Sequence, residues 1–141
     1  GRTAAFEDML INDVIPNVDA NFRTIADQPH RAMAGLSMGG MQTRQITLAN
    51  LDTFSAIGIF SGGSLSMDDV NGAEGFKEKV KLVFVSYGSR ELGGNRGGGS
   101  RGSQASSSLA RAINGRATIA QMPPMKPPQK GSMESSAGVL P

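Results

Sequence analysis

The sequence predicts an α/β fold, a parallel sheet with flanking helices, on two observations. Short apolar runs of strand length alternate with longer segments of helical character across residues 1–91, the order that builds strand–helix–strand units. The apolar runs "RAMAGL", "FSAIGIF" and "KLVFVSYG" are near-continuous rather than alternating, which suits strands covered on both faces. A chain of 141 residues is long enough for one domain with a core of its own.

The elements follow in order. "TAAFEDMLINDVIPNVDANF" places Phe6, Met9, Leu10, Ile11, Val14, Ile15, Val18 and Phe22 at mostly helical spacing. Pro16 lies inside that run and, lacking an N–H, is expected to kink or restart the helix. "RTIADQPH" reads as a polar turn and "RAMAGL" as a buried strand. Helix-forming "GMQTRQITLANL" follows, starting near Gly40 and ending near Asn50 to Asp52. "FSAIGIF" is a second strand, closed by Ser61-Gly62-Gly63, and "SMDDVNGAEGFKEKV" a polar connection with a short helix. "KLVFVSYG", with Val83, Phe84, Val85 and Tyr87, has the strongest strand character of the three.

Residues 92–141 differ. They contain no Phe, Tyr or Trp, and Gly, Ser, Pro, Ala and Arg dominate "GGNRGGGSRGSQASSS" and "MPPMKPPQKGS". Only "SSSLARAI" suggests a turn or two of helix. Such a composition buries too little apolar surface to offset chain entropy, and it predicts a disordered or loosely packed tail. The abrupt loss of aromatics after Tyr87 also fits a shifted reading frame of GC-rich coding DNA. Two units are therefore expected, residues 1–91 and 92–141. The charge divides the same way. Residues 1–91 carry 8 Lys/Arg and 11 Asp/Glu, a net −3, and residues 92–141 carry 6 Lys/Arg and Glu134, a net +5. Six scattered cations without aromatic residues give no reason to expect nucleic-acid binding. With no Cys and one His, no metal or other cofactor is expected. No apolar run is long enough to span a bilayer, and no membrane partner is expected.

The chemistry sits in "HRAMAGLSMGGMQ", His30 to Gln42, where a strand runs into Gly-x-Ser-x-Gly and then a helix. A second match, Gly98 to Gly102, lies in the Gly-rich tail with no strand before it, and it carries no such reading. At Ser37 the context is that of a nucleophile elbow, a tight strained turn that needs small residues on either side of the serine. Gly35, Gly39 and Gly40 supply that room. The turn presents the Ser37 hydroxyl at the carboxyl edge of the sheet, with the Met38 backbone N–H as an oxyanion donor at a helix N-terminus. His30 is the only histidine. Seven residues of extended chain put it roughly 20 Å or more from Ser37, whereas a general base must reach within about 3 Å or act through one water. His30 is therefore expected to be structural.

"INDVIPNVDANFRTIADQPHRAMAGLSMGGMQT" resembles the nucleophile segment of feruloyl esterases and related acetylxylan-esterase or esterase-D-like enzymes. "LDTFSAIGIFSGG" and "KLVFVSYGSRE" follow in the same order, so the resemblance covers about residues 6 to 91. It implies a partial α/β-hydrolase fold, incomplete at both ends. It also implies a Ser-acid-His triad in which Ser37 matches the nucleophile. The acid, usually Asp, falls in Gly88-Ser89-Arg90-Glu91, which makes Glu91 the candidate, and Glu is an allowed acid in this fold. The matching histidine would follow Glu91, and no His follows residue 30.

The function implied is a serine carboxylic-ester hydrolase acting on a small ester or a feruloylated or acetylated oligosaccharide, in a secreted or periplasmic setting. The alternatives are an inactive fragment or binding remnant, or one half of a complementing assembly. Exposed sheet edges would also permit self-association.

Overall fold

The computed structural model describes residues 1–88 and the backbone of residues 117–122. Glu91 and the rest of the segment 92–141 lie outside the described residues.

Helix α1 (Arg2–Met9) passes through a π-helical turn (Leu10–Val14) into α2 (Ile15–Asn21). Pro16 explains the wide turn. It has no N–H to donate and its ring crowds the carbonyl four residues back, so the Ile15 N–H reaches five residues back to the Leu10 carbonyl. The chain thus neither breaks nor restarts at Pro16; the helix absorbs the proline as a bulge. A 3₁₀ turn (Gln28–His30), capped by Asp27, then leads into β1 (Ala32–Leu36). Next come α3 (Met38–Ala49), β2 (Ala56–Phe60), α4 (Met67–Gly72), α5 (Phe76–Lys79) and β3 (Leu82–Gly88). Helix α3 begins at Met38, two residues before the expected start, and the polar connection holds two short helices rather than one.

All strands are parallel, in the order β1-β2-β3-β4, where β4 is Ala117–Met122. The fourth strand lies within the segment expected to be disordered or loosely packed. "ATIAQM" is the one stretch of that segment free of Gly, Pro, Ser and charge that lies beyond the Asn114-Gly115 break. It pairs with β3 from Val83↔Ala117 to Gly88↔Met122.

The strand order advances without reversal, and β-α-β crossovers are right-handed, so the connecting helices fall on one face. Burial agrees. Ile57, Ile59, Val83 and Val85 share that face and pack with Leu51, Leu65, Val70, Phe76 and Val80. The opposite face is open at β1, where Ala32, Ala34 and Leu36 are exposed and the burial pattern alternates. The near-continuous apolar strands had suggested cover on both faces; among the described residues only one face of β1 is covered. β1 is also an edge strand of the described sheet.

Two clips fix the layers. The Gln28 Nε2 lies 3.0 Å from each of the carbonyls of Leu51, Phe54 and Lys79, which share its two protons. It ties the turn before β1 to the ends of α3 and α5. Arg44 on α3 holds Asp69 on α4 through both carboxylate oxygens, the closest approach being 2.6 Å. Asp69 and Ser66 form a capping box at the start of α4. Partial burial pushes the Asp69 carboxyl up, but the hydrogen bonds from the Ser66 backbone and from Arg44 outweigh this and hold it below its ordinary value.

Candidate active site

Ser37 stands between the end of β1 and the start of α3 with φ 54° and ψ −116°. A non-glycine residue there is strained, at a cost of about 1–3 kcal/mol. The surroundings enforce it. The Ser37 N–H donates to the Phe60 carbonyl at 2.8 Å, and the Ser37 carbonyl accepts from Gly40 N–H at 3.0 Å and Met41 N–H at 3.2 Å. The residue is thus tied to β2 on one side and to the first turn of α3 on the other. Its side chain is exposed at the carboxyl edge of the sheet.

The glycines divide. A Cβ on Gly35 would overlap the Gly39 carbonyl and lie 2.8 Å from the Gly40 nitrogen. A Cβ on Gly40 would lie 2.9 Å from Gly62 Cα and 3.3 Å from an Ile59 methyl. These two positions need glycine. A Cβ on Gly39 would meet nothing within 4 Å. The room expected of Gly39 is therefore room it does not have to provide, because its α-carbon faces away from the close approach. Gly62, read from sequence only as the end of a strand, is the third tight position. Its Cβ would stand 2.7 Å from both the Ser37 carbonyl oxygen and Gly40 Cα.

Met38 opens α3, where the first backbone N–H groups have no partner within the helix. The helix dipole also favours negative charge there. The Gly40 and Met41 N–H groups are already engaged by Ser37. Leu36, Met38 and Met41, all more than half exposed, give the surroundings of Ser37 an apolar character.

His30 lies at the other end of β1. Its Nδ1 is 2.6 Å from Asp27 Oδ1, and its backbone N–H donates to the same carboxylate. It also touches an apolar cavity of about 380 Å³ under α1 and α2, lined by Phe6, Val18, Ile25, Met33 and Phe54. That cavity is at the amino edge of the sheet, away from Ser37, and Arg31 at its rim pairs with Asp19 at 2.6 Å. The structure therefore separates His30 from Ser37. Among the described residues no group of three His, Cys, Asp or Glu side chains could hold a metal ion, and no helix is long and apolar enough to cross a membrane.

A parallel sheet in which a strand delivers a serine with positive φ into a helix at the carboxyl edge is the arrangement of the α/β-hydrolase fold. Solved structures share the fold. A CE1 ferulic acid esterase of the anaerobic fungus Anaeromyces mucronatus superposes with a TM-score of 0.57 at 14% identity, over 84% of this chain and 45% of that one. The same enzyme in complex with ferulic acid gives 0.57 at 15% identity, over 84% and 46%. An S-formylglutathione hydrolase of Staphylococcus aureus gives 0.56 at 15% identity, over 86% and 57%. The family model described as "Putative esterase" matches residues 1–106, and the chain belongs to that family. That match continues past Glu91, where the resemblance read from the motifs ends. Over 86 residues the chain is 44% identical to an endo-1,4-beta-xylanase/feruloyl esterase of Xylanibacter ruminicola, covering 61% of this chain and 11% of that protein. The chain thus spans about a tenth of this curated relative and about half of the solved enzymes.

Proposed function

We propose that this chain carries the nucleophile segment of a serine carboxylic-ester hydrolase of feruloyl- or acetyl-esterase type, acting on ester-decorated plant polysaccharide. The observation that carries the reading is Ser37 itself, an exposed serine held at φ 54° beside Gly35, Gly40 and Gly62, which admit no side chain. Ser37 Oγ attacks the acyl carbonyl and gives its proton to a histidine. The Met38 N–H stabilises the tetrahedral oxyanion. Its collapse releases the alcohol, which takes the proton back, and leaves an acyl-serine. Water, deprotonated by the same histidine, then releases the acid and restores Ser37. Glu91 is proposed as the carboxylate that orients the histidine.

That histidine is not among these 141 residues, since His30 is the only one. Losing the base costs several orders of magnitude in rate, so the chain alone is expected to give little turnover. The test is aryl-acetate hydrolysis with added imidazole as a surrogate base, in the chain and in Ser37→Ala. Imidazole-dependent turnover that Ser37→Ala abolishes supports the reading; equal rates in the two sink it. Strong turnover by the chain without imidazole would overturn the expectation of an inactive segment.

A second reading, a complementing assembly, is favoured by the open edge and uncovered face of β1. A change in molecular size on mixing with a histidine-bearing partner segment, accompanied by Ser37-dependent activity, distinguishes it from a lone remnant.

A further inference from the structure

Ser37 and Ser61 are the two non-glycine residues with positive φ among the described residues, at 54° and 47°. They end adjacent parallel strands. The Ser37 N–H donates to the carbonyl of Phe60, the residue just before Ser61, at 2.8 Å. The Ser61 N–H donates to the Ser86 carbonyl on β3, also at 2.8 Å. Since Leu36 pairs with Phe60 and Phe60 with Ser86, the ladder continues one residue past β1 and β2, into both strained serines.

Beyond Ser61 the chain folds against the elbow. Gly62 abuts the Ser37 carbonyl, the oxygen that also accepts from Gly40 and Met41 and so anchors the turn to α3. The contact is tight from both sides: a Cβ on Gly62 would stand 2.7 Å from Gly40 Cα, and a Cβ on Gly40 would stand 2.9 Å from Gly62 Cα. All the atoms involved are backbone, so a clash there cannot be relieved by turning a side chain.

We infer that the Ser61-Gly62 turn is a buttress for the elbow and that Gly62 is a positioning residue for Ser37. The elbow is held from two directions: by the first turn of its own helix, and by the turn that closes the neighbouring strand. The consequence for catalysis rests on the proposed nucleophile, but the geometry is tested without any reaction, so the two can fail separately.

The experiment is NMR on the full 141-residue chain, comparing Gly62→Ala with Gly72→Ala, a control whose Cβ would meet nothing within 4 Å. Positive φ brings a residue's amide proton and Hα nearly into eclipse, giving a strong intraresidue NOE. That signal is expected at Ser37 in the parent and in Gly72→Ala. In Gly62→Ala it is lost, while the Val83 and Val85 signals of the core strand stay in place. A Gly62→Ala chain that keeps the Ser37 NOE and shifts overturns the proposal. If Gly62→Ala does not fold, amide exchange in the parent decides. A coupled buttress opens as one unit, so the Ser37 and Ser61 amides should agree in protection within about tenfold, and a wider gap overturns it.

Discussion

Gly35→Ala and Gly39→Ala should change stability in opposite directions, although both glycines belong to the same five-residue motif. At Gly35 the added Cβ overlaps the Gly39 carbonyl and crowds the Gly40 nitrogen. Overpacking of this kind costs about 1–3 kcal/mol, and the upper end applies because only backbone can yield. Restricting the unfolded chain returns about 0.4–1 kcal/mol, leaving a net loss of about 2 kcal/mol. At Gly39 the Cβ enters open space in the first turn of α3. Replacing a helical glycine by alanine there should stabilise by roughly 0.5–1 kcal/mol. The assay is urea unfolding of the whole chain followed by circular dichroism, with midpoints compared at constant slope. A Gly39→Ala variant as unstable as Gly35→Ala, or a neutral Gly35→Ala, would refute the geometry on which the elbow rests.

Gln28→Ala strands three carbonyls and should cost about 2 kcal/mol in the same assay. Gln28→Glu should be worse at neutral pH, because it sets a carboxylate against three acceptors; equal losses in the two variants would contradict the clip. Asp69 is held below its ordinary value in the folded chain, so its stabilisation is present above the unfolded carboxylate range and is lost as pH falls through the folded value. The stability gap between the parent and Asp69→Asn should therefore close on acidification below about pH 4. A gap that stays constant with pH means that the Arg44 pair and the capping box do not act through the charge.

The fold was largely legible because its signals are local. β1, β2 and β3 are each an apolar run of strand length, and each was expected within two residues of where it lies. The strained strand-to-helix turn at Ser37 was legible for the same reason, since strand, Gly-x-Ser-x-Gly and helix are contiguous. Other features depend on residues distant in sequence. Gln28 reads as a turn residue until Leu51, Phe54 and Lys79 are seen to converge on it. Gly62 reads as loop until the close approach to Gly40 is seen, although a Gly-Gly pair right after a strand was the available hint. β4 was missed because its six residues are embedded in a composition that argues against structure, and pairing with β3 outweighs that local preference.

On the proposed reading, the separation of Ser37 from His30 leaves the catalytic machinery present only in part. The strain at Ser37 is set by residues 35–41 and 60–62, all within the described sheet and its first crossover. The backbone geometry at Ser37 is thus a property of two adjacent strands and one helix. The base proposed for Ser37 has no such locality, because the one histidine in the chain is committed to Asp27 at the amino edge. A segment can therefore keep a fully formed elbow while contributing nothing to proton transfer. This is why Ser37 geometry and Ser37 turnover must be measured separately: the first follows from the contacts in this chain, and the second, on the proposed reading, requires a proton acceptor from outside it.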